Sequence, residues 1–311
     1  MCTRIFWNDN PVAKTVSRTM DWSISDEPDL WALPAGLHRS GGAGDRALSW
    51  TSAYPSVSLS MWRGGTVDGV NGAGLGAHAL YLDDVDWEPA DDRPTVANLM
   101  WVQYVLDTFG SVAEVVAAAP DIRIESVPFR GQTMGCHLAI EDSTGDSAIL
   151  EPTGGRMLIH HGPQYQVMAN SPLLDEQLAN RARYRPFGGE LPPPGDITSL
   201  DRFVRASYFL HYLPEPQDTE QAMAGVVHLA SNVAVPYGAP YDDGGVYPTW
   251  WITATDLTNG TYCFLSTLSP NAVWVELDRA LNSTEVRSLD PRAAGLSGEI
   301  SDRLRPATLP Y

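Results

Sequence analysis

A cysteine lies directly behind the initiator methionine of this chain. Methionine is normally removed when the next residue is small, so we expect the mature chain to begin with Cys2. That residue would then carry both a thiol and a free α-amine. Because the unperturbed amine titrates near about 7.7–8.0 and the thiol near about 8.5, the amine can accept the thiol proton at neutral pH. A nucleophile beside its own base is the minimal unit of covalent catalysis, although many proteins begin with Met-Cys by chance.

The residues behind Cys2 predict a β-hairpin. A first strand is followed by the dense turn signal Asn8-Asp9-Asn10-Pro11, and a second strand runs from Ala13 to Met20. Such a hairpin would return Arg18 and Asp21 to the side of Cys2. Asp21 could then accept a hydrogen bond from the amine, and Arg18 could hold the thiolate and a substrate carboxylate. The alternative is a cross-strand ion pair of little energetic value, and the residues alone leave both interpretations open.

The remainder of the chain shows alternating strand and helix patterns. Helical spacing is present over residues 95–107, 111–119, 199–213 and 219–230. Strand patterns occupy residues 57–61, 136–140, 147–150, 157–159, 165–169, 250–255, 260–266 and 272–277. Strand blocks that flank helical blocks predict an α+β fold, with antiparallel sheets layered between helices in a single domain over residues 1–311.

Some short segments allow a more local prediction. Asp68-Gly69-Val70-Asn71-Gly72 has the composition of a tight turn, and the segment from Pro172 to Asp196 that of a surface loop. His78 falls in a strand of small residues, where a lone histidine is more often packed than catalytic. Cys136 begins a predicted strand and is most simply a buried thiol.

Composition excludes several classes of function. The chain has 38 acidic and 20 basic residues and a net charge of −18, which disfavours nucleic acid as a partner. The cysteines Cys2, Cys136 and Cys263 have no spacing typical of a disulfide framework or a zinc site, so we expect no metal or cofactor and a reduced, cytoplasmic compartment. No apolar run is long enough to span a membrane, and no secretory signal is visible.

Four sequence features together resemble the choloylglycine hydrolase family, which contains bile salt hydrolases and penicillin V acylases. The features are Cys2 at the new N-terminus, Arg18-Thr19-Met20-Asp21-Trp22, Met168-Ala169-Asn170-Ser171-Pro172 and Asp201-Arg202-Phe203-Val204-Arg205. The resemblance implies the four-layer αββα sandwich of N-terminal-nucleophile hydrolases. It also implies a cofactor-free enzyme that hydrolyses C–N bonds in linear amides other than peptides. Members of the family are commonly homotetramers, so the resemblance implies a homo-oligomer.

The resemblance also implies roles for individual residues. Cys2 would be the nucleophile and its own α-amine the general base, Asp21 would anchor that amine, and Arg18 would organise the thiol and the amide. Asn170 would donate its side-chain amide to the tetrahedral oxyanion.

Two arginines follow in the last of the four motifs. The resemblance implies that Arg202 supports the charge network at the nucleophile, whereas Arg205 is structural. The backbone N–H of Tyr81 would be the second oxyanion donor.

Substrate is the least constrained inference. Tyr81 falls where penicillin V acylases of this family often carry Tyr and bile salt hydrolases usually carry Asn, and its ring could stack on an aromatic acyl group. Trp22 and the segment Leu30–Gly42 resemble a subgroup of acylases that also take acyl-homoserine lactones. Penicillin V is therefore the first expected substrate, with acyl-homoserine lactones and conjugated bile salts as alternatives. Non-enzymatic alternatives are a binding module and a redox-sensing thiol at Cys2.

Overall fold

A computed structural model of the chain describes residues 1–42 and 44–311. Its strands in that part are β1 (Cys2–Trp7), β2 (Thr15–Asp21), β3 (Asp29–Leu33), β4 (His38–Ser40), β5 (Ser49–Thr51), β6 (Ser56–Ser60), β7 (Thr66–Asn71), β8 (Leu75–Tyr81), β9 (Thr95–Ala97), β10 (Arg123–Glu125), β11 (Cys136–Asp142), β12 (Ser147–Thr153), β13 (Arg156–His161), β14 (Val167–Met168), β15 (Thr249–Asp256), β16 (Thr261–Ser266), β17 (Ala272–Glu276), β18 (Arg287–Leu289), β19 (Gly298–Glu299) and β20 (Arg305–Pro306). The helices are α1 (Trp101–Thr108), α2 (Val112–Ala118), α3 (Leu174–Arg181), α4 (Ser199–His211), α5 (Thr219–Val233) and α6 (Leu277–Ala280).

Two large sheets form the centre of the fold. The first has the strand order β14-β1-β2-β15-β16-β17-β19, and the second has the order β13-β12-β11-β8-β7-β6-β3-β18-β20. Helices α4 and α5 pack on β1 of the first sheet, α1 packs on β7 and β8 of the second, and β1 contacts β8. The sheets therefore face each other between two helical layers. The predicted α+β sandwich with layers αββα is confirmed.

Strand β1 is buried along its whole length because it lies between a helical layer and the second sheet. Side chains alternate between the two faces of a strand, so Cys2 and Arg4 share one face, and Trp7 lies on the other. Arg4 reaches Glu141 of β11 in the second sheet. Trp7 faces α5, where a Cβ added to Gly225 would lie 3.0 Å from its ring. Cys2 is thereby directed into the space between the two sheets.

The helix predicted over residues 95–107 begins too early. Residues Thr95–Ala97 form β9, a short 3₁₀ helix covers Asn98–Met100, and α1 starts only at Trp101. Ala97 is extended and donates its N–H to the carbonyl of Gly41 at 2.8 Å. Tertiary pairing with a distant loop therefore overrides the helical spacing of the apolar residues.

The turn predicted at Asp68–Gly72 is displaced along the chain, because Asp68 to Asn71 lie inside β7 and only Gly72 belongs to the turn. The turn follows at Gly74, which has a φ of 81° and donates to the carbonyl of Asn71 at 3.0 Å. Gly69 serves a close approach instead: an added Cβ would lie 2.8 Å from Leu106 of α1.

The segment predicted as a surface loop after Pro172 contains helix α3. The N–H of its first residue finds a partner elsewhere in the chain, since Leu174 donates to the carboxylate of Glu151 at 3.1 Å. A helix whose N-terminus is stabilised by a distant side chain carries no local capping signal. Among the helices of the described residues, none is long and apolar enough to cross a membrane.

Candidate active site

The β1–β2 hairpin places a guanidinium beside the sulfur of Cys2. Antiparallel pairing sets Cys2 opposite Met20 and Arg4 opposite Arg18, so the nucleophile candidate and Arg18 share the face that points between the sheets. Arg18 Nη2 lies 3.4 Å from Cys2 Sγ and donates to the carbonyl of Ala79 at 3.2 Å. Both side chains are buried, with Cys2 only 2% exposed. The arrangement presents a fixed positive charge to the thiol.

Asn170 and Arg202 hold the backbone of Cys2. The Cys2 N–H donates to Asn170 Oδ1 at 2.6 Å, and Arg202 donates to that same oxygen at 2.8 Å and to the Cys2 carbonyl at 2.6 Å. Asn170 Nδ2 donates to the carbonyl of Tyr81 at 2.7 Å. Arg202 is fully buried on α4, whose N-cap is the side chain of Thr198. Residues far apart in sequence therefore fix the orientation of Cys2.

Asp21 lies at the N-terminus, and with Met1 present it contacts Met1 rather than the nitrogen of Cys2. Its backbone pairs with Met1: the Met1 amine donates to the Asp21 carbonyl, and the Asp21 N–H donates to the Met1 carbonyl at 2.6 Å. Its Oδ1 accepts from Thr249 at 2.6 Å, and its Oδ2 lies 3.7 Å from Arg202 Nη1. Oδ2 receives no hydrogen bond from residues 1–42 or 44–311. With Met1 in place, Asn170 and not Asp21 holds the nitrogen of Cys2.

A chain of alternating charges connects Arg18 to the second sheet. Asp68 Oδ2 lies 3.7 Å from Arg18 Nη1 and 2.6 Å from His78 Nδ1, while His78 Nε2 lies 2.7 Å from Glu141 Oε1. Glu141 also accepts from Arg4 Nε at 2.8 Å. All five side chains are buried.

The charges in this network stabilise one another. Burial alone would lower the pKa of His78, but the carboxylates of Glu141 and Asp68 raise it to about 9. Burial would likewise raise the pKa of Glu141, but Arg4 and His78 lower it to about 2. His78 is therefore protonated at neutral pH, and it is ion-paired as well as packed. The sequence contains little sign of this, because the composition around Asp68 predicts a turn there and the strand predicted over residues 136–140 ends before Glu141.

An apolar pocket of about 580 Å³ opens beside Cys2. Its walls include Met61, Leu99 and Met134, and Trp22 and Tyr81 also line it. The rings of Trp22 and Tyr81 meet edge to face, with centroids 5.2 Å apart. The pocket therefore brings together the two residues for which the sequence suggested a role in binding substrate.

A second, wider cleft adjoins this pocket. It has about 1210 Å³ of empty space, part of it open to solvent, shares Trp22, Tyr81 and Met134 with the apolar pocket, and is bordered by Met1 and Tyr241. The two spaces meet at the N-terminus of the chain. An extended substrate could therefore occupy both spaces while its centre lies at Cys2.

Other candidate residues lie outside this centre or play a smaller part in it. Arg205 donates to the backbone carbonyl of Asp196, and Cys263 lies on β16. Cys136 is not fully buried, and it contributes to the wall of the apolar pocket. No three His, Cys, Asp or Glu side chains within the described part of the chain are grouped so that they could hold a metal ion.

Comparison with known proteins places the chain in a family. The family model described as "Linear amide C-N hydrolases, choloylglycine hydrolase family" matches residues 2–288. The chain belongs to the choloylglycine hydrolase family. The family and its named relatives support hydrolysis of a linear amide C–N bond as the activity of this enzyme.

Sequence relatives cover nearly the whole chain. A penicillin V acylase from Pectobacterium atrosepticum is 35% identical over 98% of this chain and 90% of that protein. A bile salt hydrolase/transferase from Bifidobacterium longum is 26% identical over 93% of this chain and 99% of that protein.

Solved structures agree with these relatives. The penicillin V acylase from Agrobacterium tumefaciens superposes with a TM-score of 0.89 at 36% identity, covering 99% of this chain and 98% of that one. The mutant C2A conjugated bile acid hydrolase from Clostridium perfringens has a TM-score of 0.81 at 19% identity, covering 96% and 98%, and its likeness concerns the fold. The sandwich is that of the N-terminal-nucleophile hydrolases.

Proposed function

We propose that the enzyme cleaves linear N-acyl amides with an aromatic acyl group, penicillin V being the first candidate, and that Cys2 is its nucleophile. The observation that carries the proposal is the position of the Cys2 sulfur, which faces Arg18 at 3.4 Å and borders an apolar pocket of about 580 Å³. The similarity to two penicillin V acylases supports the substrate class.

The mechanism requires that Met1 is removed. Loss of Met1 converts the Cys2 nitrogen from an amide with one hydrogen into an amine. Asn170 Oδ1 already accepts from this nitrogen at 2.6 Å, and Asp21 Oδ2 lacks a hydrogen-bond donor among the residues described. A buried acceptor without a donor is costly, so an additional N–H is the partner that Asp21 needs. Asp21 would then anchor the amine, as the family resemblance implies.

Acylation begins when the Cys2 amine takes the thiol proton. The sulfur attacks the carbonyl carbon, the S–C bond forms, and the π electron pair moves onto the carbonyl oxygen. Asn170 Nδ2 gives one hydrogen to the Tyr81 carbonyl and has a second for the oxyanion, with the Tyr81 N–H as the other donor. Each oriented donor of this kind raises the reaction rate by about 10²–10³-fold.

The intermediate then collapses. The C–N bond breaks, its electron pair stays on the nitrogen, and the Cys2 ammonium gives that nitrogen its proton. Water, deprotonated by the same amine, attacks the thioester, and the acid leaves with regeneration of the Cys2 thiol. Arg202 donates to both the Cys2 carbonyl and Asn170 Oδ1. It therefore keeps the Cys2 amine and the Asn170 amide in fixed positions relative to each other during acylation and deacylation.

The apolar pocket would bind the acyl group of the substrate. Phenoxyacetyl carries a single aromatic ring, and the edge-to-face pair of Trp22 and Tyr81 offers the geometry that aromatic rings prefer for contact. The walls formed by Met61 and Met134 can adjust to the outline of the ring, since methionine side chains are flexible and polarisable.

Two measurements test this function. Penicillin V, glycocholate and a medium-chain acyl-homoserine lactone should be compared by kcat/KM, and penicillin V should be preferred. Cys2→Ser should abolish amide cleavage with an unchanged circular dichroism spectrum, while the control Cys263→Ser, outside both spaces, keeps wild-type turnover. Wild-type turnover by Cys2→Ser would refute the mechanism, and a wide preference for glycocholate would refute the substrate assignment.

A further inference from the structure

A buried histidine holds the peptide unit that leads into Asn170. His137 lies on β11 and is only 2% exposed, and its Nε2 lies 2.8 Å from the carbonyl oxygen of Ala169. A carbonyl oxygen only accepts hydrogen bonds, so Nε2 carries a hydrogen and donates it. The Ala169 carbonyl and the Asn170 N–H belong to one planar peptide unit. His137 therefore fixes the direction in which the chain enters Asn170.

Two further side chains hold the backbone of Asn170 from the helical layer. The Asn170 N–H donates to Ser199 Oγ at 2.9 Å, and Ser199 is the first residue of α4. Gln177 of α3 donates to that hydroxyl at 3.0 Å and to the Asn170 carbonyl at 2.9 Å. The backbone around Asn170 is thus bound by α3 and α4 on one side and by β11 on the other.

Glu151 connects the two ends of the segment that carries Asn170. It lies on β12, which pairs with β11, and its Oε1 lies 3.1 Å from His137 Nδ1. Its Oε2 accepts from the N–H of Leu174, the first residue of α3, at 3.1 Å. The carboxylate thus holds Leu174 directly and Ala169 through His137. The short stretch between them, which begins with Asn170, is fixed at both ends.

Glu151 is ionised although it is only 1% exposed. Burial alone would raise its pKa, but hydrogen bonding to His137 and the contact with His160, whose Nε2 lies 3.3 Å from Glu151 Oε2, lower the pKa to about 2. A buried ion pair adds little net stability to a fold. Neither Glu151 nor His137 lines the apolar pocket or the wider cleft. Any effect of this pair on the reaction therefore passes through the backbone of Asn170.

We propose that His137 and Glu151 are positioning residues that hold the Asn170 amide where the oxyanion forms. The inference rests on the proposed function, in which Asn170 Nδ2 donates to the oxyanion. Hydrogen bonds to the Tyr81 carbonyl and from the Cys2 N–H orient the tip of the Asn170 side chain, and His137 and Glu151 fix the backbone from which it extends. The oxyanion exists only after the sulfur has attacked, so a displaced Asn170 amide should lower kcat and leave KM nearly unchanged.

The first test removes the donor to Ala169. His137→Leu should lower kcat for penicillin V by roughly 10- to 100-fold, because misplacement of a catalytic group by about 1 Å can cost 10²-fold, and KM should stay within about twofold. His137→Gln should recover most of the wild-type kcat, because a glutamine amide can donate from near the position of Nε2. Wild-type kcat in folded His137→Leu, or a loss that appears in KM instead of kcat, would overturn the inference.

Glu151→Gln is a second variant that keeps the size of the side chain. Its single amide oxygen can accept from His137 or from Leu174 but not from both at full strength, so kcat should again fall with KM unchanged. It replaces His137→Leu in every comparison if that protein does not fold. Wild-type kcat in Glu151→Gln would exclude Glu151 from the positioning pair.

Leu138→Ala is the matched control. Leu138 follows His137 on β11, and since successive side chains point to opposite faces, it packs in the cluster beneath α1, away from Asn170. Truncation of this core residue lowers stability. It should nevertheless keep the wild-type kcat at a temperature where all variants are folded. An equal loss of kcat in Leu138→Ala and His137→Leu would overturn the inference, because general loosening of β11 would then explain both.

The decisive comparison combines His137→Leu with Asn170→Ala. Once the Asn170 side chain is absent, His137→Leu should lower kcat by less than about twofold more, since residues that act through one another do not have additive effects. If the two losses multiply, His137 acts independently of Asn170, and the inference is overturned while the proposed function stands. Wild-type kcat in Asn170→Ala would contradict the oxyanion role in the proposed function and the inference with it.

Discussion

Replacement of Asp68 by asparagine tests whether the buried charge network acts on Cys2. Asp68 touches neither of the two substrate spaces, and its carboxylate lies 3.7 Å from Arg18 and 2.6 Å from His78. Removing one partner of a buried ion pair costs about 3–5 kcal/mol of folding stability. The amide oxygen of the new side chain would still accept from Tyr262, which donates to Asp68 Oδ1 at 2.5 Å.

The effect on catalysis follows from Arg18. Without its carboxylate partner, the guanidinium keeps its hydrogen bond to the Ala79 carbonyl but loses the negative charge beside Nη1, so it is held less firmly at 3.4 Å from the sulfur of Cys2. The interaction affected is the hydrogen bond from Arg18 to the sulfur of Cys2. A hydrogen bond to a charged group contributes about 1.5–3 kcal/mol, and its loss corresponds to a decrease of roughly 10- to 150-fold in kcat/KM. The assay is hydrolysis of penicillin V at a temperature where both proteins are folded, together with the rate at which iodoacetamide labels Cys2. Both rates should fall.

Asp107→Asn is the matched control for this variant. Asp107 is also a buried aspartate paired with an arginine, Arg39, at 3.2 Å, but it lies on α1, away from Cys2. It should lose comparable stability and keep kcat/KM within about twofold of wild type. If Asp68→Asn keeps wild-type kcat/KM and wild-type labelling of Cys2 while it is folded, the network has no influence on the nucleophile, and this reasoning is wrong.

Three further outcomes are expected. Asn170→Ala should lower kcat by about 10²–10³, because it removes an oxyanion donor, and a loss below tenfold would exclude that role. Trp22→Ala should raise KM for penicillin V more than it lowers kcat, and the opposite pattern would place Trp22 in the chemical step. Because the pKa of His78 is raised from 6.5 to about 9, the stability it contributes is complete below pH 6.5 and is lost as the pH rises through 9. The free energy of unfolding in denaturant should therefore fall by about 3 kcal/mol over that range, and a constant or rising value would contradict the ion pairing of His78.

The elements with strong local signals are predictable from sequence. The turn Asn8–Pro11 predicts the β1–β2 hairpin, and with it the approach of Arg18 to Cys2. Helices α4 and α5 have side-chain N-caps, Thr198 and Asp218, and they begin at the expected residues. In each of these cases the residues that determine the structure are close neighbours along the chain.

The errors arise where distant partners decide the structure. Ala97 is extended because it pairs with Gly41, and Asp68 lies in a strand because His78 and Arg18 neutralise it there. Composition alone predicts a turn at Asp68-Gly69, because aspartate is seldom fully buried and is buried mainly when it is paired with a charged partner.

The candidate site shows the same division. Arg18 follows from the hairpin, but Asn170 and Arg202 lie 168 and 200 residues from Cys2 and are predicted through the family resemblance alone. The charge network is absent from the sequence-based prediction, because nothing local connects Glu141 with His78. His78 and Glu141 become neighbours only through the pairing of β8 with β11, in which Glu141 lies opposite Gly76, two residues from His78 on the same face of the sheet.

The nucleophile can be tested most directly by trapping the acyl-enzyme. Penicillin V is mixed with the enzyme, the reaction is quenched in acid within one turnover, and peptides are analysed by mass spectrometry. The mechanism predicts a phenoxyacetyl thioester on an N-terminal peptide that begins with Cys2 and lacks Met1. An adduct on another residue, or turnover by a chain that retains Met1, would contradict the central claim.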